Sequence, residues 1–195
     1  MRILSLIYLF FALGSANLAA KTMLVLGDSL SAAYGLPVTQ GWVHLLDEKL
    51  PNWTLVNGAI SGDTSQGALN RLPALLQKQP DYLLIEIGAN DGLRGYPVQR
   101  IRTNIQQIID MAKKAGIKVV LMQIRIPPNY GPKYTQQFEN LYPDIAKAQD
   151  VTLWPFFMEK VAVDASLMQA DGLHPNAKGQ LVIVHQLERL LATLE

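Results

Sequence analysis

The chain contains no cysteine. Neither a disulfide framework nor a thiolate-held metal centre is open to it, so its stability must rest on an apolar core. Charge is scarce too. Only 17% of the 195 residues are Asp, Glu, Lys or Arg, against 49% apolar, which excludes a disordered or nucleic-acid-coating chain. Nor does one sign dominate. The first twenty residues carry only Arg2, and the remainder balances 16 basic against 16 acidic residues. No field is left to steer DNA, RNA or an anionic membrane. The Gly-x-Ser-x-Gly nucleophile elbow, the phosphate-loop and dinucleotide glycine signatures and clustered His/carboxylate sets are absent as well. The ordinary α/β-hydrolase arrangement, nucleotide chemistry and a metal site are therefore set aside. No internal repeat, low-complexity segment or linker is present.

What is present begins with an export signature. Arg2 is a minimal basic region, residues 3–13 form an almost unbroken apolar stretch, and residues 14–20 are rich in small side chains. That is the layout of a secretory signal peptide, and the apolar run is shorter than the roughly 20 residues of a membrane span. Cleavage before Lys21 is expected, although Leu18 stands where a small residue is preferred; an uncleaved anchor is the alternative. The expected organisation is a signal peptide over 1–20 and one domain over 21–195, periplasmic or secreted, monomeric and without stable membrane insertion once processed.

In the mature chain, apolar runs alternate with amphipathic stretches. Residues 23–26, 54–60, 82–87, 119–124 and, more weakly, 151–157 read as strands buried on both faces. Helices are expected over 42–50, 64–77, 98–115, 134–148 and 177–194. The third carries Ile101, Ile105, Ile108, Ile109 and Ala112 at helical spacing and ends at Gly116, while Pro143 should kink or bound the fourth. Strand–helix alternation implies a three-layer αβα sandwich on a parallel sheet. Ligands bind beyond the carboxyl ends of such strands.

Three short words stand at those strand ends, Gly27-Asp28-Ser29-Leu30, Ser61-Gly62-Asp63-Thr64 and Gly88-Ala89-Asn90-Asp91, and a fourth, Asp171-Gly172-Leu173-His174, stands in the turn before the last expected helix, which can return to the same edge. Ser29 follows a strand, at the start of a helical turn, where nearby amides face developing negative charge. Asp171 lies three residues before His174. The carboxylate can hold the imidazole by Nδ1–H while Nε2 points at a serine. The backbone amides of Ser29 and Gly62, with the Asn90 side chain, can form an oxyanion hole. Taken singly, each word has a plainer reading: an N-cap serine, an Asp-Gly turn beside a surface histidine, a turn glycine, an Asn-Asp loop cap. The combination points to an acyl-transfer hydrolase. His44 and His185 lie in helical stretches without an acidic partner at matching spacing and read as ordinary helix-face residues.

These words in this order resemble the SGNH (GDSL) hydrolase superfamily, whose four naming residues match Ser29, Gly62, Asn90 and His174. Segments 27–33, 60–65, 71–76, 90–95, 121–131, 155–159 and 171–176 are similar to its group of periplasmic multifunctional thioesterases, proteases and lysophospholipases. The resemblance implies a flavodoxin-like five-stranded parallel sheet and a Ser29–His174–Asp171 triad working through an acyl-enzyme. It implies no cofactor and small-molecule acyl esters or thioesters as substrates. It also implies an acyl-binding loop over 92–97 with Leu93 toward the acyl chain, and Ile126 and Pro127 lining the far end of the groove. Ala89, Ile126 and Tyr96 depart from the residues common in the group, which bears on acyl length rather than on reaction type. Two rivals remain: a sugar or peptidoglycan deacetylase, and a non-catalytic fatty-acyl or lysolipid carrier on the same scaffold.

Overall fold

The computed structural model describes residues 20–194. The expected signal peptide thus lies, but for Ala20, outside the described residues. Five strands, β1 (Lys21–Gly27), β2 (Trp53–Asn57), β3 (Tyr82–Glu86), β4 (Lys118–Met122) and β5 (Thr152–Trp154), pair in parallel in the order β2-β1-β3-β4-β5. Six helices surround them: α1 (Trp42–Lys49), α2 (Ser65–Leu76), α3 (Ala89–Leu93), α4 (Val98–Lys114), α5 (Pro132–Gln149) and α6 (Ala177–Leu191). Helix α1 packs on α6, while α2, α4 and α5 pack in series, so the sheet lies between two helical layers. The flavodoxin-like sandwich expected from the alternation is the fold.

The central strands are apolar for the expected reason. Met23 to Leu26 on β1 and Leu83 to Ile85 on β3 are wholly buried, because helices cover both faces. On α4 the stripe from Ile101 to Ala112 is buried, and one polar residue, Asn104, is buried within it. The helix closes in a Schellman cap. Gly116 takes φ +76°, its N–H donates to the Lys113 carbonyl (2.9 Å), and the Ile117 N–H donates to the Ala112 carbonyl (3.0 Å).

Several boundaries differ from the sequence reading. Strand β2 stops at Asn57 and β5 at Trp154, each shorter than expected, because the apolar residues beyond them turn into loops. Pro143 does not bound a helix; α5 runs through it, as α2 runs through Pro73. Tertiary packing absorbs the local cost, since Leu141, Tyr142 and Ile145 around Pro143 are all wholly buried.

Phe138 on α5 is wholly buried, with its ring 5.7 Å from that of Tyr142 in an edge-on arrangement. Phe138→Ala should cost about 3–5 kcal/mol, measured by urea unfolding of the mature chain at neutral pH.

Candidate active site

The order of strands reverses between β1 and β3, and the loops leaving these two strands carry Ser29 and Asn90. At Gly27 the chain leaves the sheet and makes one helical turn rather than a helix. The Asp28 carbonyl accepts from Ser31 N–H (3.2 Å) and Ala32 N–H (2.9 Å), and Asp28 Oδ1 accepts from Leu30 N–H (3.1 Å). Ser29 sits at the crest of that turn. Gly62 follows β2, Asn90 lies in the first turn of α3, and Asp171 and His174 occupy the loop that leads into α6. These pieces meet. His174 Nε2 lies 2.8 Å from Ser29 Oγ across a separation of 145 residues, and His174 Nδ1 lies 2.7 Å from Asp171 Oδ2. The second carboxylate oxygen, Oδ1, accepts from the backbone N–H groups of Leu173 (2.9 Å) and His174 (3.0 Å). Desolvation acts to raise the Asp171 pKa, but the hydrogen bonds from the His174 side chain and from the two amides outweigh it and hold it at about 2. The carboxylate therefore stays ionised throughout the range in which a histidine base works.

A second set of contacts braces the expected oxyanion side. Arg71, reaching from α2, donates Nε–H to Asp63 Oδ2 (2.6 Å), Nη2–H to the Gly27 carbonyl (3.1 Å) and Nη1–H to the Gly58 carbonyl. One guanidinium thus ties the end of β1 to the loop that carries Gly62. Arg94 donates to the Gly62 carbonyl from the other side (3.2 Å). Among the described residues, neither the Ser29 nor the Gly62 N–H donates to another group. Asn90 Nδ2 donates to Asp28 Oδ2 (3.2 Å). Asp91, next in sequence, is buried and accepts from Ser65 N–H and Oγ–H (2.7 Å each), with Asn104 donating to the same Ser65 hydroxyl (2.9 Å). Its role is to fasten α3 to the start of α2.

Beneath the nucleophile turn lie two buried acids. Glu86 Oε2 accepts from Ser31 Oγ–H (2.6 Å) and Asp28 N–H (3.3 Å), while Oε1 has no partner among the described residues. Burial, reinforced by the Asp28 charge, pushes the Glu86 carboxyl well above the usual range. Burial also raises Asp28, from 3.8 to about 6, against the hydrogen bonds from Leu30 and Asn90.

Ser29, Asn90 and His174 open onto a groove of about 480 Å³. Leu93, Ile126 and Pro127 line it. Phe156, Met158, Ala162, Met168 and Leu173 line it too, residues to which sequence reasoning gives no place in the groove. The segment expected as a loop over 92–97 begins as the end of α3, so Leu93 is held on a helical turn. The two other histidines do have acidic neighbours. His44 Nε2 lies 3.3 Å from Glu48, one helical turn on, and His185 Nδ1 lies 3.9 Å from Glu188. Both pairs sit on the surfaces of α1 and α6. Among the described residues, no group of three or more His, Cys, Asp or Glu side chains is arranged to hold a metal ion.

A flavodoxin-like parallel sheet with Ser29, Asn90 and His174 on one groove at its edge is the setting of an SGNH hydrolase. Residues 25–182 match the GDSL-like Lipase/Acylhydrolase family, and the chain belongs to it: it is a serine hydrolase of carboxylic esters. It is 49% identical to an arylesterase of Vibrio mimicus over 184 residues, 92% of each chain. It is 48% identical to the thioesterase 1/protease 1/lysophospholipase L1 of Escherichia coli K12 over 178 residues, 90% of this chain and 86% of that one. Among solved structures, the psychrotrophic esterase EstA from a Pseudoalteromonas species, inhibited by monoethylphosphonate, superposes with a TM-score of 0.87 at 44% identity, covering 89% of this chain and 98% of that one.

Asp28 supplies a test of this site. A carboxyl whose pKa is raised on folding is cheap to bury when protonated and costly when ionised. Its penalty is absent below about pH 4 and complete above about pH 6. Asp28→Asn lacks that titration. Its stability relative to wild type should rise by up to about 3 kcal/mol from pH 4 to pH 7 in chemical denaturation. Its kcat should fall nonetheless, because the introduced amide, if its oxygen still accepts from Leu30 N–H, turns a donor toward the Asn90 donor.

Proposed function

We propose that Ser29 is the nucleophile of this hydrolase, His174 its general base and acid, and Asp171 the carboxylate that orients the imidazole. The N–H groups of Ser29 and Gly62, with Asn90 Nδ2, bind the oxyanion. The continuous string Ser29 Oγ–His174–Asp171 at the mouth of an apolar groove is the observation that carries this reading. Ser29 Oγ attacks the acyl carbonyl as its proton passes to His174 Nε2. The tetrahedral intermediate collapses, His174 protonates the departing alcohol or thiol, and an acyl-Ser29 ester remains. Water, deprotonated by His174, then attacks that ester and releases the acid, restoring the Ser29 hydroxyl.

The substrates we propose are aryl and alkyl esters, acyl thioesters and lysophospholipids, the classes named by the arylesterase and the multifunctional thioesterase relatives. The apolar walls formed by Leu93, Ile126, Pro127 and Phe156 favour acyl chains of several methylenes over acetyl groups, and so count against the deacetylase. A carrier has no use for a serine hydrogen-bonded to an imidazole, which counts against that rival. Among the described residues no helix is long and apolar enough to cross a membrane. We propose that residues 1–20 direct export and are removed, and that residues 21–195 act as one monomeric domain in the periplasm or outside the cell.

Ser29→Ala should lower kcat/KM on p-nitrophenyl esters by at least about 10⁴-fold with an unchanged unfolding midpoint, and Asn90→Ala by about 10²–10³-fold. Steady-state assays across acetyl, butyryl, octanoyl and palmitoyl esters with one leaving group test the acyl reading. A maximum at acetyl contradicts it. Full turnover by Ser29→Ala overturns the nucleophile.

A further inference from the structure

The loop that carries the base is the least protected part of the site. Asp171, Gly172 and Leu173 are exposed, and the loop closes mainly on itself. Met168 bridges to Pro175, Asn176 Nδ2 donates to the carbonyls of Ser166 (2.8 Å) and Met168 (3.0 Å), and Gln169 N–H donates to the His174 carbonyl (2.8 Å). None of these contacts fixes the loop relative to the nucleophile. Hydrogen bonds to imidazole nitrogens are directed along the ring plane, so those at His174 Nδ1 and Nε2 put nothing against the face of the ring.

Two residues outside the expected constellation lie against the ring and across the two loops. The Tyr34 ring lies against the His174 ring, centroids 4.4 Å apart and planes tilted by 35°. The Gln169 side-chain amide spends both of its hydrogens: one on the Pro175 carbonyl in the base loop (3.0 Å), the other on the Tyr34 carbonyl in the nucleophile turn (2.7 Å). The turn that presents Tyr34 is shaped for this. Ala33 and Gly35 both hold left-handed backbone, at φ +58° and +74°. A Cβ on Gly35 would stand 2.3 Å from Gln169 Oε1, so only glycine lets the amide lie there. Tyr34 is nevertheless 49% exposed, too open to serve as a core anchor, and it is not among the groove-lining residues.

We propose that Tyr34 and Gln169 form a clamp that holds the His174 imidazole in line with Ser29. Tyr34 presses on the face of the ring, and Gln169 fixes the backbone of Tyr34 to the base loop. Both are positioning residues acting through His174, and the proposal rests on the hydrolase reading above. The π-face of Tyr34 also lies where it favours the imidazolium formed each time His174 takes a proton. Misalignment of about an ångström at such a pair costs rate steeply while leaving acyl binding almost untouched.

The test compares Tyr34→Ala, Tyr34→Phe, Gln169→Glu and the double variant Tyr34→Ala/Gln169→Glu, all as the mature chain. Gln169→Glu keeps the shape but replaces the donor with an acceptor facing two carbonyl oxygens. Tyr34→Ala and Gln169→Glu should each lower kcat on p-nitrophenyl butyrate about tenfold or more, with KM changed less than twofold. Tyr34→Phe, which keeps the ring, should recover most of the rate. The double variant should be little worse than either single one, since both break the same restraint. Single variants within twofold of wild type, multiplicative losses in the double variant, or failure of Tyr34→Phe to recover rate would each overturn the clamp. Inactivation by diethyl p-nitrophenyl phosphate separates the two readings. A wild type left unlabelled at Ser29 overturns the nucleophile and the clamp together. A labelled wild type whose Tyr34→Ala variant turns over at the same rate overturns the clamp alone.

Discussion

The contact between a hydroxyl on the first strand's exit and an imidazole just ahead of the last helix constrains everything else in this molecule. A hydrogen bond of 2.8 Å tolerates little drift, and its two partners are 145 residues apart. They are brought together by the layer in which α1, just after the nucleophile turn, packs on α6, just after the base loop. The Trp42 N–H at the start of α1 donates to Gln180 Oε1 on α6 (2.9 Å), stitching the two helices near the ends that face the site. The apolar core supplies the cohesion, and a few buried polar contacts set the register.

Those polar contacts are costly ones. Asp28 and Glu86 lie close together under the nucleophile turn, and burial disfavours the charge of each. An apolar filling would be easier to accommodate. The carboxylates instead give the turn direction: Glu86 receives the Asp28 amide and the Ser31 hydroxyl, while Asp28 accepts from Leu30 and Asn90 and so determines which end of the Asn90 amide faces it. Arg71 does comparable work for the Gly62 loop with three donated hydrogen bonds. Local stability is exchanged for a fixed array of donors, which suits the oxyanion binding proposed for this side of the groove.

Much of this was legible in the sequence, for physical reasons. Strands buried on both faces write continuous apolar runs, and the words bearing Ser29, Gly62 and Asn90 stand just past three of them, so convergence at one sheet edge followed from topology alone. Helix α3 was not legible: five residues, preceded and interrupted by glycine, are too few to show a period. Phe156, Met158, Ala162 and Met168 come from irregular chain after β5, where no periodicity marks an inward side, and their common groove exists only after folding. The links from Gln169 to Tyr34 and from Arg71 to Gly27 were invisible for the same reason, since each joins segments far apart in sequence. The partners of His44 and His185 were legible in principle. Glu48 and Glu188 stand at the one-turn spacings that put side chains on the same helical face.

The position of the base loop within the chain has a consequence for biogenesis. Synthesis runs from the amino end, so the serine and the groups proposed to bind the oxyanion emerge long before the imidazole proposed as that serine's base. Until α6 docks on α1, Ser29 lacks its hydrogen-bond partner. On the proposed mechanism an unfinished copy is catalytically silent, and ester cleavage begins only once the segment carrying His174 has folded onto the rest.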